Sequence, residues 1–168
     1  EYFKPSITLI DSIYSVNFMT SGDIDHDGDI DLAYSREDFN SVYWLENEGN
    51  LTFENPQIIS DNLMKIMKLE LADLNGDGNL DIVTVSQDDH KIAWFEKTND
   101  ASGYGNEIII SSNLIQARDV GVNDLDNDGD MDIVACSQGN GQILWYENLD
   151  GLGSFSVGNL IGTLGDVR

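Results

Sequence analysis

The stretch DIDHDGDID at residues 23–31 recurs as DLNGDGNLD at 73–81 and as DLDNDGDMD at 124–132. The starts lie 50 and 51 residues apart, and a tryptophan follows each start by 21 residues, at Trp44, Trp94 and Trp145. A phase locked in this way marks an array of one supersecondary unit, each copy carrying the same oxygen-rich loop. The repeat decides the fold ahead of local propensity.

Working outward from the loops, each unit reads as four short strands. Met19, Leu69 and Val120 stand four residues before the loops, and Leu71 and Val122 follow two residues later, where the first copy has Ser21. Period two predicts a strand. After each loop comes a second apolar run: Leu32 to Tyr34, Ile82 to Val85 and Ile133 to Cys136. A polar turn (SREDFNS, SQDDHK, SQGNGQ) leads to a third strand that carries the tryptophan: VYWLEN, IAWFEK and ILWYEN. The fourth strand is expected to hold an aromatic, Phe53, Tyr104 or Phe155, and to end in Ile58-Ile59, Ile109-Ile110 or Leu160-Ile161. No stretch sustains a helical period. Four antiparallel strands in a repeat of about 50 residues is the pattern of propeller blades.

The expected fold is therefore all-β, with three four-stranded antiparallel blades plus one orphan outer strand, as part of a larger propeller. Residues 1–10, with Ile7, Leu9 and Ile10, match the outer strand of a preceding blade. Blades one to three occupy 11–60, 61–111 and 112–162, and 163–168 open the next. Closed propellers need about four to eight blades, so further blades or a second copy are expected to complete the array. A tryptophan in every copy predicts packing between blades. A sugar-stacking platform is the sharper alternative, but a ligand contact rarely needs every copy.

The chemistry lies in the loops. Calcium takes six to eight oxygens in flexible geometry. Side chains at loop positions 1, 3 and 5 point inward if a tight turn follows, and Gly28, Gly78 and Gly129 at position 6 permit it. Position 7 offers a backbone carbonyl, from Asp29, Asn79 or Asp130, and the aspartate at position 9 is placed to close the shell. The expected ligands are Asp23, Asp25, Asp27, Asp29 and Asp31; Asp73, Asn75, Asp77, Asn79 and Asp81; and Asp124, Asp126, Asp128, Asp130 and Asp132. They predict about three calcium ions. All-oxygen shells disfavour zinc and copper, and magnesium resists crowded protein cages. Plain acidic turns would not require aspartate at positions 1, 5 and 9 of three loops. An EF-hand is excluded because position 12 is Tyr34, Thr84 or Ala135 rather than Glu.

Composition narrows the partners. Among 168 residues, 31 acids face 8 bases, for a formal charge of −23. Three divalent cations, six positive charges, would bring −23 only to −17. Such a surface repels nucleic acid and anionic membranes. No apolar run reaches membrane-spanning length, so no membrane insertion is expected. The single cysteine, Cys136, takes the place of Val85 in the preceding copy and reads as a small buried hydrophobe. The sequon Asn50-Leu51-Thr52 falls in a predicted turn. The pattern is already under way at Glu1, so further sequence upstream is expected.

On the aspartate loop, the DIV-type strand after it and the WYEN-type strand beyond, the chain resembles the FG-GAP/VCBS-type repeats of integrin-like β-propellers. It departs from the literal FG and GAP signature, with SREDF, SQDDH and SQGNG in the corresponding stretches. The match is closer to the VCBS-like branch, and integrin-style partner recognition is not carried over. The resemblance implies an extracellular or cell-surface protein with calcium in the loop joining a blade's first two strands. It also implies adhesion, ligand binding or support of an attached catalytic domain.

The function expected is a non-catalytic adhesion, ligand-binding or scaffold module within a larger protein, recognising a protein or carbohydrate. The alternative is part of a secreted polysaccharide-acting enzyme, a lyase or hydrolase, with structural calcium. The only histidines are His26, in a cation loop, and His90, in a polar turn. Carboxylates such as Asp38, Asp88 and Asp89 have no spacing that singles out an acid and base. The sequence names no catalytic residue. Turns opposite the cation loops differ between copies, as recognition loops do. They nominate Tyr14, Arg36, Met67, His90, Arg118 and Gln138 as ligand contacts.

Overall fold

Alternating patterns and glycine-rich turns yield twelve strands in a computed structural model that describes residues 15–36, 40–50, 52–98 and 103–163. The first sheet holds β1 (Val16–Gly22), β2 (Asp31–Arg36), β3 (Ser41–Leu45) and β4 (Gln57–Ser60). The second holds β5 (Ile66–Ala72), β6 (Asp81–Ser86), β7 (Lys91–Phe95) and β8 (Ile108–Ser111). The third holds β9 (Ala117–Asn123), β10 (Asp132–Ser137), β11 (Gln142–Tyr146) and β12 (Asn159–Thr163). Each is a four-stranded antiparallel meander in sequence order, and the first strands β1, β5 and β9 approach one another. These are propeller blades. The expected orphan strand at 1–10 and residues 164–168 lie outside the described residues.

One expectation is corrected. The aromatic of the fourth strand is not on it. Phe53, Tyr104 and Phe155 form isolated bridges to Asn47, Lys97 and Asn148, upstream of β4, β8 and β12. The chain between is held by single amides, such as Gly105 N donating to Glu96 O at 2.8 Å, so the ladder is interrupted there.

The core lies between blades. Ile82, Phe95 and Leu69 of the second blade meet Ile24, Ala33, Val42 and Trp44 of the first. On its other face, Val83, Val85, Ile92 and Trp94 meet Ile133, Ala135 and Tyr146 of the third. Strand β6 is consequently buried along its whole length, which is why its sequence reads as a continuous apolar run.

Each buried tryptophan is capped by the outer turn of the next blade. Trp44 meets Tyr104 edge to face, with ring centroids 6.2 Å apart. Gly103 and Gly153 sit over Trp44 and Trp94 so closely that an added Cβ would lie 3.0 and 2.7 Å from the rings. Trp44 and Trp94 thus serve interblade packing, whereas Trp145 is half-buried on the far face of the third blade. Gly153 also has φ +87°. Gly153→Ala should destabilise by ~2–4 kcal/mol, from overpacking and left-handed strain together. Gly162→Ala, with nothing within 4 Å, should be near neutral. Urea unfolding of the two variants checks this.

Candidate metal centre

The aspartate loops connect the first two strands of each blade. In the second loop Asp73 accepts from the amides of Asp77 (Oδ1, 3.1 Å) and Gly78 (Oδ2, 2.8 Å). Asn75 Oδ1 also accepts from Asp77 N (3.2 Å), and Asp77 Oδ1 accepts from Asn79 N (2.8 Å). The third loop repeats this set through Asp124, Asp126 and Asp128, at 3.0 to 3.2 Å. The first shares the bonds from Asp27 N to Asp25 Oδ1 and from Asp29 N to Asp27 Oδ1. Side chains at positions 1, 3 and 5 therefore curl into the loop they belong to. The position 6 glycines have φ of 95°, 89° and 103° with open space around them, so backbone conformation and not room requires glycine. Position 4 is left-handed as well, in His26, Gly76 and Asn127.

The curl gathers the carboxylates. Ligand atoms of Asp23, Asp25 and Asp27 lie within 4.8 Å of one another, as do those of Asp124, Asp126 and Asp128. Asp23 Oδ1 is buried with no hydrogen-bond partner. An orphaned buried carboxylate oxygen in an all-oxygen cluster fits a hard divalent cation. Such an ion would supply the positive charge that offsets the crowded carboxylates.

Position 9 has a second task that the sequence reading missed. Asp31, Asp81 and Asp132 are fully buried. Asp31 accepts Ile24 N (3.0 Å) and Asn47 N (2.8 Å) on its two oxygens. Asp81 accepts Leu74 N (3.0 Å) and Lys97 N (2.8 Å), and Asp132 accepts Leu125 N (3.1 Å) and Asn148 N (2.9 Å). Each carboxylate pins its cation loop to the end of the tryptophan strand. One lone pair per oxygen remains free for an ion.

Burial pushes the Asp81 carboxyl up to about 7, against the two amides that favour its charge; Asp77 and Asp73 push the same way. Burial also raises Asp31. The native, calcium-free protein thus holds the Asp81 proton up to about pH 7, while the unfolded chain releases it near 3.8. The resulting penalty is absent below the unfolded value and complete above the folded one. Calcium-free protein should accordingly melt at a lower temperature at pH 7.5 than at pH 5. Saturating calcium should reverse the order, because the ion needs the ionised carboxylate. Thermal scans at both pH values check this, and Asp81→Asn should flatten the calcium-free trend.

Two further carboxylates stand beside position 3. Glu96 Oε1 accepts Asn75 Nδ2 at 3.1 Å. Glu46 faces Asp25, and burial first, then that neighbour, raises its pKa. The signal was present: a glutamate follows every tryptophan by two residues, at Glu46, Glu96 and Glu147. The next residue is also structural. Asn148 Nδ2 donates to Leu74 O (2.9 Å), tying the third blade to the second cation loop. In the second blade Lys97 takes its place, with its ammonium 4.8 Å from the Trp44 ring centroid.

On the opposite rim the nominated ligand residues scatter. Tyr14 lies outside the described residues, as does Asp38. Arg36 ends β2, and Arg118 and Gln138 are exposed. Met67 is a correction: the β5 register shifts between Ile66 and Lys68, and Met67, at that bulge, is buried in the core between the second and third blades rather than on the face of Leu69. His90 is a latch between blades. Its carbonyl accepts Leu114 N (3.1 Å), and its Nδ1 lies 3.1 Å from Gln116 N and 2.8 Å from Gln87 O. Asn40 receives Leu63 N and Lys65 N one blade earlier. Asp89 is engaged by Lys91 at 3.2 Å, and Lys91 by Glu107 at 2.6 Å.

The FG-GAP-like repeat model matches residues 23–84 and again 73–135. Each match begins on the first aspartate of a loop and ends in the second strand of the next blade. No curated protein sequence gives a significant match. Among solved structures, an Agrocybe aegerita lectin, described as specifically recognising non-reducing terminal N-acetylglucosamine, superposes with a TM-score of 0.64 at 21% identity. The alignment covers 88% of this chain and 39% of the lectin, so the chain spans about two fifths of that structure. The paired matches over the aspartate loops and the strands they join place this chain in the FG-GAP-like repeat family.

Proposed function

We propose that the chain is a calcium-binding module of an extracellular or cell-surface β-propeller that serves ligand binding rather than catalysis. The observation that carries the calcium reading is the clustering of Asp23, Asp25 and Asp27, with one buried oxygen unpartnered. Carbohydrate is the favoured ligand class, because a lectin shares the fold. The far face of the third blade supports completion by further blades or a second copy. Loop position 2 is buried in Ile24 and Leu74, at 0% and 1% exposure, but 44% exposed in Leu125. Blade limits at 11–60, 61–111 and 112–162 follow the repeat.

The sites should be graded. The second loop has three carboxylates where the others have five, and its position 3 is the neutral Asn75. Protons also compete at Asp81 near neutral pH. It should release calcium first on mild acidification. Calorimetric titration of single-loop variants at pH 7.5 and 6 tests this, and loss of the tightest site on Asp77→Ala would contradict it. For the ligand, a glycan panel including N-acetylglucosamine should give calcium-dependent binding. No glycan binding would remove the carbohydrate assignment and leave a scaffold role.

A further inference from the structure

The second loop differs from its neighbours at two candidate ligands, Asn79, whose position offers a backbone carbonyl, and Asn75, which stands where they have the side chains of Asp25 and Asp126. A carboxylate offers oxygen whichever way it turns. A carboxamide offers oxygen at one end and two hydrogens at the other. Turned the wrong way, it would aim N–H bonds at a cation. Something must therefore hold the amide in one orientation.

Glu96 is placed to do so. Asn75 Oδ1 faces into the loop and accepts Asp77 N at 3.2 Å, while Nδ2 faces outward and donates to Glu96 Oε1 at 3.1 Å. An ionised carboxylate only accepts and a backbone amide only donates, so the two contacts fix the same orientation independently. We propose that Glu96 is a positioning residue of the second cation loop, holding the Asn75 oxygen toward the ion. The proposal rests on the calcium reading above. In the first loop the equivalent Glu46 faces Asp25, where the two acids stand side by side and no amide needs orienting. The same recurrent glutamate thus supports the ion only where position 3 is an amide.

The test is a mutant cycle on the full chain with Asp27→Asn and Asp128→Asn, which leaves the second loop to dominate the calcium titration. Glu96→Ala should weaken calcium binding by about tenfold, the scale of a charge-assisted hydrogen bond. Glu96→Gln keeps an acceptor for Nδ2 and should stay within about threefold of the parent. In an Asn75→Asp background, Glu96→Ala should not weaken binding, because a carboxylate needs no orienting partner. A remote charge effect would instead weaken binding equally in both backgrounds and in Glu96→Gln, and that result overturns the proposal. So does a harmless Glu96→Ala. If Glu96→Ala fails to fold, Glu96→Gln decides alone: retention supports the role and a tenfold loss overturns it. Absence of calcium from the second loop of the parent chain overturns the calcium reading, and this proposal with it.

Discussion

Removing calcium should lower the melting temperature by ~15–30 °C. At an ion concentration about a hundredfold above Kd, each site contributes ~2.7 kcal/mol. Three sites give ~8 kcal/mol, and each kcal/mol moves the melting point of a chain of this size by about 2–4 °C. The loops add a second reason. Without the ion, carboxylates whose ligand atoms lie within 4.8 Å repel one another. Magnesium should restore little of the loss, since it holds its own water too tightly for a crowded protein cage. Calorimetric scans in excess chelator, then with calcium or magnesium restored, read this directly. A melting curve that chelator leaves unchanged would remove calcium from the account of stability.

Replacing Asp81 should have the largest effect of any single loop substitution. Its carboxylate is fully buried and satisfies two backbone amides, Leu74 N and Lys97 N. Asp81→Ala strands both donors, at about 1–3 kcal/mol each, and opens a void between the loop and β7. The expected loss is ~3–6 kcal/mol, a large share of a domain's net stability. This loss is present with and without calcium, because it comes from backbone amides. Asp77→Ala makes the contrast. Asp77 is exposed and accepts from a loop amide near water, so its removal should cost little in chelator and show its effect only when calcium is added. Urea unfolding of both variants in both conditions separates the two roles. Equal losses for the two in chelator would contradict the division.

The blades were legible because they repeat. The tryptophan 21 residues into each unit recurs in every copy, and Trp44 and Trp94 pack against the blade that follows. The inward curl at positions 1, 3 and 5 was legible for the same reason, with the position 6 glycine as its conformational mark. Contacts that depend on tertiary approach were not. The burial of Met67 depends on a bulge between Ile66 and Lys68, which turns it off the face of Leu69 and toward the third blade. His90 looked like a variable rim residue, yet its carbonyl accepts Leu114 N as that of Asn40 accepts Leu63 N one blade earlier, and histidine and asparagine share no sequence pattern. Position 9 read simply as a ligand because its amide partners just past the tryptophan strand are 16 residues away. Glu96 was legible in principle, since glutamate recurs after every tryptophan, but its meaning depends on Asn75 lying opposite.

Counting bound ions decides whether these loops are calcium sites. Native mass spectrometry of the chain in calcium, beside the Asp27→Ala, Asp77→Ala, Asp128→Ala triple variant, should give three ions for the parent and none for the variant. A parent that binds no calcium, or a triple variant that keeps all of it, would contradict the account.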